Sequence, residues 1–537
     1  MSIKRLFIKK SVARIQQEGS NSTLKRTLGK WNLLSLGIGC IIGAGIFVMT
    51  GKAAADHAGP ALMLSFIFTG LACAMVGLCY AELASVLPIS GSAYTYAYAT
   101  LGELLAWTMG WLLVLEYGVA ASTVAVGWSG YMNSFLLGAG VMIPPELTIA
   151  KGELIRVSEA FYPLFIEAGY AFSADGYLMN GAGDFIYGVF NLPAFLGVSA
   201  ITLLLIVGVS ESATINNIVV FIKLAVVLLF VGIGIFYVNP DNWVPFIPEN
   251  EAPGVYGWDG VFRAASIIFF AYVGFEAVST AAQEAKNPQK DMPFGILGSL
   301  LVCTVLYIGV AAVLTGIVDY RKLSVPDPMA LAVDKIGLDW FSMLIKIGAI
   351  TGLTSVMLVL VYGQTRIFYV MARDGLMPQI FAKVHSKFHT PYINTVIVGG
   401  VVAVAAGMTP ISLLGDLVSL GTLAAFMIVC VSVLYMRKYH PELARPFRTP
   451  FMPFTPIFGI LTCAYLSFTI FAGFDAQGDI VITPSGRDVL HHVGPYMLVG
   501  MLIYALYGYR KSVLAHEMRE ELSENVAVTP TVNQPHA

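Results

Sequence analysis

The residues equipped for chemistry in this chain are few, and they sit in apolar surroundings. From Leu34 to Gly51 the sequence reads LSLGIGCIIGAGIFVMTG, with Gly37, Gly39, Gly43, Gly45 and Gly51 in a charge-free apolar run. Each glycine weakens a helix by about 1 kcal/mol relative to alanine, so the Gly43-Ala44-Gly45 cluster is the place to unwind. Inside a bilayer, unwound backbone is tolerated only where it is buried in protein or lines a cavity. Its freed N–H and C=O groups then form a site for a small polar ligand. Lys223 lies in INNIVVFIKLAVVLLFVG, about 13 Å from the start of that run at ~1.5 Å per residue, too deep to snorkel easily. An ammonium at that depth must be paired or lose its proton, so it can bind and release a proton or tie helices together. Glu116, in GWLLVLEYGVAAS, is equally costly to bury. Its carboxyl can meet a cationic group on a ligand, relay a proton, or simply hold two helices together.

Other candidates are weaker. Glu276 follows Gly274 in FFAYVGFEAVST and points to gating or packing. Phe269, Phe270 and Tyr272 cluster just before Gly274, where an aromatic ring beside an unwound turn can close over a ligand. Lys346 lies near enough to a run's end to snorkel. Gly37-x-Gly39-x-x-x-Gly43 has the look of a dinucleotide loop, but it lacks the preceding strand and the following acidic residue that loop requires. Gly39-x-x-x-Gly43 also suits close helix packing, which is compatible with a break. No GxxxxGK[ST] phosphate loop occurs in the 537 residues, which argues against ATP hydrolysis. Nothing points to an enzyme, a cofactor or a metal site.

The elements that must position these residues are membrane spans. Apolar residues make up 57% of the chain and charged residues 12%, about half the soluble norm of ~25% charged. The near-neutral charge gives no sign of a nucleic-acid partner. The six cysteines all lie in apolar runs without ligand spacing and read as small buried residues. Counting runs near the ~20 residues that cross a bilayer gives an all-α polytopic protein with twelve spans. They fall near 32–54, 61–87, 104–136, 187–208, 215–238, 259–282, 293–317, 340–370, 392–408, 411–436, 455–474 and 492–510. Basic residues before span one and after spans six, eight, ten and twelve put both termini in the cytoplasm by the positive-inside rule. The cell membrane, for a bacterial protein the inner one, is the expected location. An external insert spans about 138–186, and the tail from 511 to 537 is expected to be disordered.

Spans one to five and six to ten superpose with opposite topology, which sets span six opposite the broken span one. Paired interrupted spans in corresponding halves are a pointer to a transporter's binding site. This divides the chain into a cytoplasmic segment 1–31, a first repeat 32–238, a second repeat 259–436 and peripheral spans eleven and twelve at 455–510.

Four strings in this order resemble the amino acid–polyamine–organocation transporters. They are GIGCIIGAGIF (Gly37–Phe47), YAELASVLPISGSAYTYAY (Tyr80–Tyr98), FFAYVGFEAVSTAAQEAKNPQKDMP (Phe269–Pro293) and YGQTRIFYVMARDGLMP (Tyr362–Pro378). The resemblance covers about Leu28 to Arg510 and is strongest to the cationic amino acid transporter branch and its bacterial relatives. It implies a five-plus-five inverted repeat with spans one and six broken. It also implies a substrate site along Ile41, Ile42, Gly43, Ala44 and Gly45 of span one and Phe270, Ala271 and Val273 of span six. The amides of Gly43, Ala44 and Gly45 would take a carboxylate, the carbonyls of Ile41, Phe270 and Val273 an amino group, and the Phe270 ring would be the gate. Lys223, facing Thr354 and Ser355 of span eight, would couple protons. The expected activity is proton-coupled amino acid uptake by alternating access, with Glu116 as the candidate for accepting cationic side chains. A proton-independent exchanger of amino acids or polyamines is the first alternative, and a ligand-binding sensor the second.

Overall fold

A computed structural model describes residues 3–12, 27–87, 92–208, 213–388, 390–474 and 478–518. The expected disordered tail lies, from residue 519 on, outside the described residues, as does the stretch 88–91 of one of the four strings above. Among the described residues nine helices are long and apolar enough to cross a membrane, and Leu192–Val207 and Tyr392–Met408 are shorter apolar helices. Such helices satisfy their own backbone hydrogen bonds, the condition hydrocarbon imposes.

With the elements numbered by the runs expected from the sequence, span one is two pieces. Lys30–Ile41 is α-helical, Ile42 turns to an extended conformation (φ −72°, ψ 97°), and helix resumes from Ala44 through Ala58. Gly59, at φ 58°, then bends the chain into span two, Leu62–Val86. Span six is also interrupted: Gly257–Ile268 tightens into a 3₁₀ turn at Phe269–Tyr272. Val273 is extended (φ −57°, ψ 133°), Gly274 sits at φ 118°, and helix returns at Ala277–Thr280.

Span three runs Glu103–Leu113, through a wider π turn at Val114–Val119, into Ala120–Gly138. Spans five, seven, eight and ten are Ala213–Gly234, Pro288–Ile317, Asp339–Arg373 and Ile411–Tyr439. Span two lies against seven, three against eight, and four (Leu192–Val207) against nine (Tyr392–Met408). Spans eleven and twelve, Phe454–Phe471 and Pro484–Ile503, pack on ten.

Two details depart from the all-helical expectation. Two-stranded hairpins form at Ala171–Phe172 with Leu178–Met179 in the insert, and at Ala472–Phe474 with Ile480–Ile482 before span twelve. Both lie between spans, where backbone can pair outside helices. The insert packs Ile155, Phe165 and Leu178 into a small core with Leu137 at the end of span three. It also clamps the segment between spans seven and eight through Lys322–Glu159 (2.8 Å) and Arg156 Nη1 donating to Arg321 O (3.5 Å). Lys346 does not snorkel. It is 5% exposed, 3.6 Å from Asp334 and over the Phe161 ring of the insert, because that partner pair offers it better company than the interface.

Candidate functional site

The two breaks meet at close quarters. A Cβ at Gly45 would stand 2.2 Å from Ala271 Cα, and one at Gly274 would stand 2.8 Å from the Cys40 carbonyl carbon. Only glycine lets the segments meet this tightly, and at Gly274 the positive φ alone would strain any other residue. Tyr307 of span seven fixes the crossing, its hydroxyl lying 2.8 Å from Ile41 O and 3.0 Å from Ala271 O. Tyr131 of span three donates to Phe47 O at 2.7 Å, and Thr50 to Gly45 O at 3.0 Å, which steady the second half of span one.

Each break exposes a helix N-terminus, whose first amides lack partners within the helix and carry the positive end of the dipole. In span six that terminus is already satisfied, since Gly274 N–H donates to the Glu276 carboxylate at 2.9 and 3.1 Å. In span one the first bond back into the new helix is Phe47 N–H to Gly43 O (3.3 Å). The amides of Gly43, Ala44, Gly45 and Ile46 therefore open onto the break. Such a terminus is built to receive an anionic oxygen. Span eight closes this side, with Val356 packing 3.4 Å from where a Gly43 Cβ would be.

Lys223 is 1% exposed, and its ammonium donates to Gly39 O at 2.9 Å. That carbonyl belongs to the last turn of Lys30–Ile41, the negative end of the helix dipole, which stabilises a cation. Its stem rests on span eight, 3.1 Å from where a Cβ of Gly352 would stand. Ser355 lies one turn beyond Gly352 on that same helix face. Thr354 is engaged elsewhere, accepting from Trp128 Nε1 of span three at 3.0 Å and donating to Ile350 O at 2.7 Å. Phe270 is buried in the 3₁₀ turn, and its carbonyl accepts the Val273 amide at 3.2 Å. Ile42 and Ala271 line the crossing itself, both buried. Glu116 is fully buried in the π turn of span three and meets Glu276.

Several buried charges were not singled out from the sequence. Arg263 of span six pairs with Asp416 of span ten at 2.7 Å, both sealed from solvent, with Ser485 of span twelve 3.3 Å away. On the face that carries the termini, Glu82 of span two accepts from Arg437 Nε and Nη2 (2.7 and 2.8 Å) and from Thr449 N–H (2.8 Å), with Arg445 at 3.4 Å. The signal was present in each case, as a charge within or beside an apolar run.

Residues 28–505 match the family model described as amino acid permease. The chain is 45% identical over 509 residues to a methylthioribose transporter of Bacillus subtilis, covering 95% of this chain and 99% of that protein. It is 43% identical over 511 residues to the branched-chain amino acid permease BcaP of the same organism, again covering 95% and 99%. It is also 34% identical over 433 residues to the vacuolar cationic amino acid transporter 4 of Arabidopsis thaliana, covering 80% of this chain and 66% of that one.

Proposed function

Given that the chain belongs to the amino acid permease family of the amino acid–polyamine–organocation superfamily, we propose that it is a secondary active permease that takes up amino acids with protons by alternating access. The observation that carries this reading is the pair of crossing breaks. One is capped by Glu276, whereas the amides from Gly43 to Ile46 are left open to a substrate carboxylate. Ile41, Phe270 and Val273 carbonyls would hold the amino group, and Phe270 would close over it. The packing of spans two with seven, three with eight and four with nine supports a five-plus-five inverted repeat within twelve spans. In this arrangement the termini are cytoplasmic, the insert is external, and the protein sits in a bacterial inner membrane.

Lys223 supplies the switch. Charged, it holds the last turn of the first half of span one through Gly39 O. On losing its proton the nitrogen loses its charge-assisted grip and span one is free to tilt, with Ser355 the polar group on the span-eight face that the Lys223 stem packs against. Uptake by proteoliposomes of a panel of labelled amino acids at two pH gradients tests this. Lys223→Ala should reduce uptake and remove its dependence on the gradient. Full gradient-dependent uptake by the variant would sink the coupling role. Counterflow that ignores the pH gradient in the wild type would favour an exchanger instead.

The 45% identity to a methylthioribose transporter favours one second reading, transport of a neutral thio-sugar without a carboxylate. Inhibition of leucine uptake by methylthioribose, compared with inhibition by lysine, ranks the substrate classes directly.

A further inference from the structure

Below the break lies a group of buried polar atoms that helix packing does not account for. Glu116 is 0% exposed and Glu276 1% exposed. Among the described residues, no N–H or O–H reaches either carboxyl oxygen of Glu116. What Glu116 does meet, within hydrogen-bonding reach, is the Glu276 carboxyl, another acceptor. Neither carboxyl forms an ion pair with a lysine, arginine or histidine among the described residues. Glu276 has donors of its own, the Gly274 amide at 2.9 Å and the Tyr117 hydroxyl at 3.5 Å. Two acceptors hold such a contact only with a proton between them, since two bare carboxylates repel in a dry core. The neighbourhood is otherwise short of charge. Tyr80 and Cys73 of span two, Tyr117 of span three and Cys40 of span one are the titratable groups around it. The Tyr80 hydroxyl and both amide atoms of Gln364 on span eight are also buried without partners. Orphaned buried polar atoms on this scale call for an explanation.

We propose that Glu116 and Glu276 form a single-charge slot, holding one shared proton when the substrate is neutral and exchanging it for the cationic end of a basic substrate. The assignment rests on the permease reading, and goes beyond it by making the proton count depend on substrate charge. The exchange balances. The pair with one proton carries one negative charge, and the pair with an ammonium or guanidinium carries the same, the displaced proton leaving to water. That remaining charge sits against the Gly274 amide, which donates to it at 2.9 Å. Because Glu276 also caps that half-helix, loading the slot bears on the same turn that meets span one.

Infrared difference spectroscopy of the purified protein tests the slot without requiring transport. At neutral pH, in an Asp327→Asn background that removes the acid band of that other buried carboxyl, the protein should show a carboxylic acid C=O band that is lost in Glu116→Gln and in Glu276→Gln. Glu116→Asp, which keeps the acid, should retain it at a shifted frequency, and thermal midpoints confirm that each variant is folded. Saturating lysine should remove the band, and leucine should leave it. A band that survives in Glu116→Gln, no band in the Asp327→Asn background, or lysine and leucine acting alike would each overturn the slot. In proteoliposomes carrying a pH-sensitive dye, leucine should bring in one more proton per molecule than lysine, and Glu116→Gln should abolish that difference. If the wild type moves no amino acid at all, the permease reading fails, while the infrared result still decides the pair.

Discussion

Gly45 and Gly274 stand where the two breaks meet, and their side chains are what is missing. Alanine at Gly45 would drive its Cβ into backbone at 2.2 Å, and alanine at Gly274 would be held at φ 118°. Strain of this kind is worth about 1–3 kcal/mol per position. Gly45→Ala and Gly274→Ala should therefore each abolish uptake and lower the thermal midpoint. Gly138→Ala, where nothing stands within 4 Å, should leave both unchanged within about 0.5 kcal/mol. Normal uptake by Gly45→Ala would show that the crossing is looser than drawn. The glycine cluster, Lys223 and Glu116 were legible in the sequence because each breaks the local rule of an apolar span. The partnership of Glu116 with Glu276 was not, because it depends on the register of span three against span six, which one sequence does not contain.

At the scale of elements, Arg263–Asp416 binds span six to span ten in a buried position. Removing one partner of a buried pair leaves an uncompensated charge and costs about 3–5 kcal/mol, whereas replacing both with apolar groups is often neutral. Asp416→Leu alone should strongly lower the thermal midpoint, and Arg263→Met with Asp416→Leu should recover most of it. A double variant as unstable as the single one would mean that the pair is not the main contact there.

The insert offers a pH test. Asp327, between spans seven and eight and beneath the insert, is 6% exposed, and burial pushes its carboxyl up to about 7, offset in part by Ser134 and Lys346. A value raised above the unfolded 3.8 means that protonation favours the folded clamp. That stability is full below about pH 4 and is lost as pH rises through about 7. Hydrogen exchange of residues 139–191 should accelerate across that window, and Asp327→Asn should flatten the response. The insert's clamping role escaped the sequence reading because its contacts run to Arg321 and Lys322, more than 150 residues away.

For the whole molecule, the apolar runs carried most of the helical architecture, since a bilayer allows backbone few alternatives to helix. The split of span one at Ile42 and the bend at Gly59 follow from glycines plainly visible in the chain. The two hairpins did not announce themselves, being only two and three residues per strand. The orientation can be checked by labelling single cysteines in a background without the native six. Lys151→Cys in the insert should react with an impermeant maleimide from outside intact cells, and Lys511→Cys only after permeabilisation. The reverse pattern would invert the topology.

Glu82 adds a consequence in time. Its nearest charge partner, Arg437, lies 355 positions later in the chain, which at ~5–20 residues per second of synthesis is on the order of 20–70 s. Throughout that interval span two is inserted with a carboxylate that has no mate. Only the arrival of Arg437, Arg445 and Thr449 allows it to leave the aqueous edge. The Glu82 cluster therefore cannot set until the chain has passed residue 449, and a nascent chain stalled before Thr449 cannot complete it.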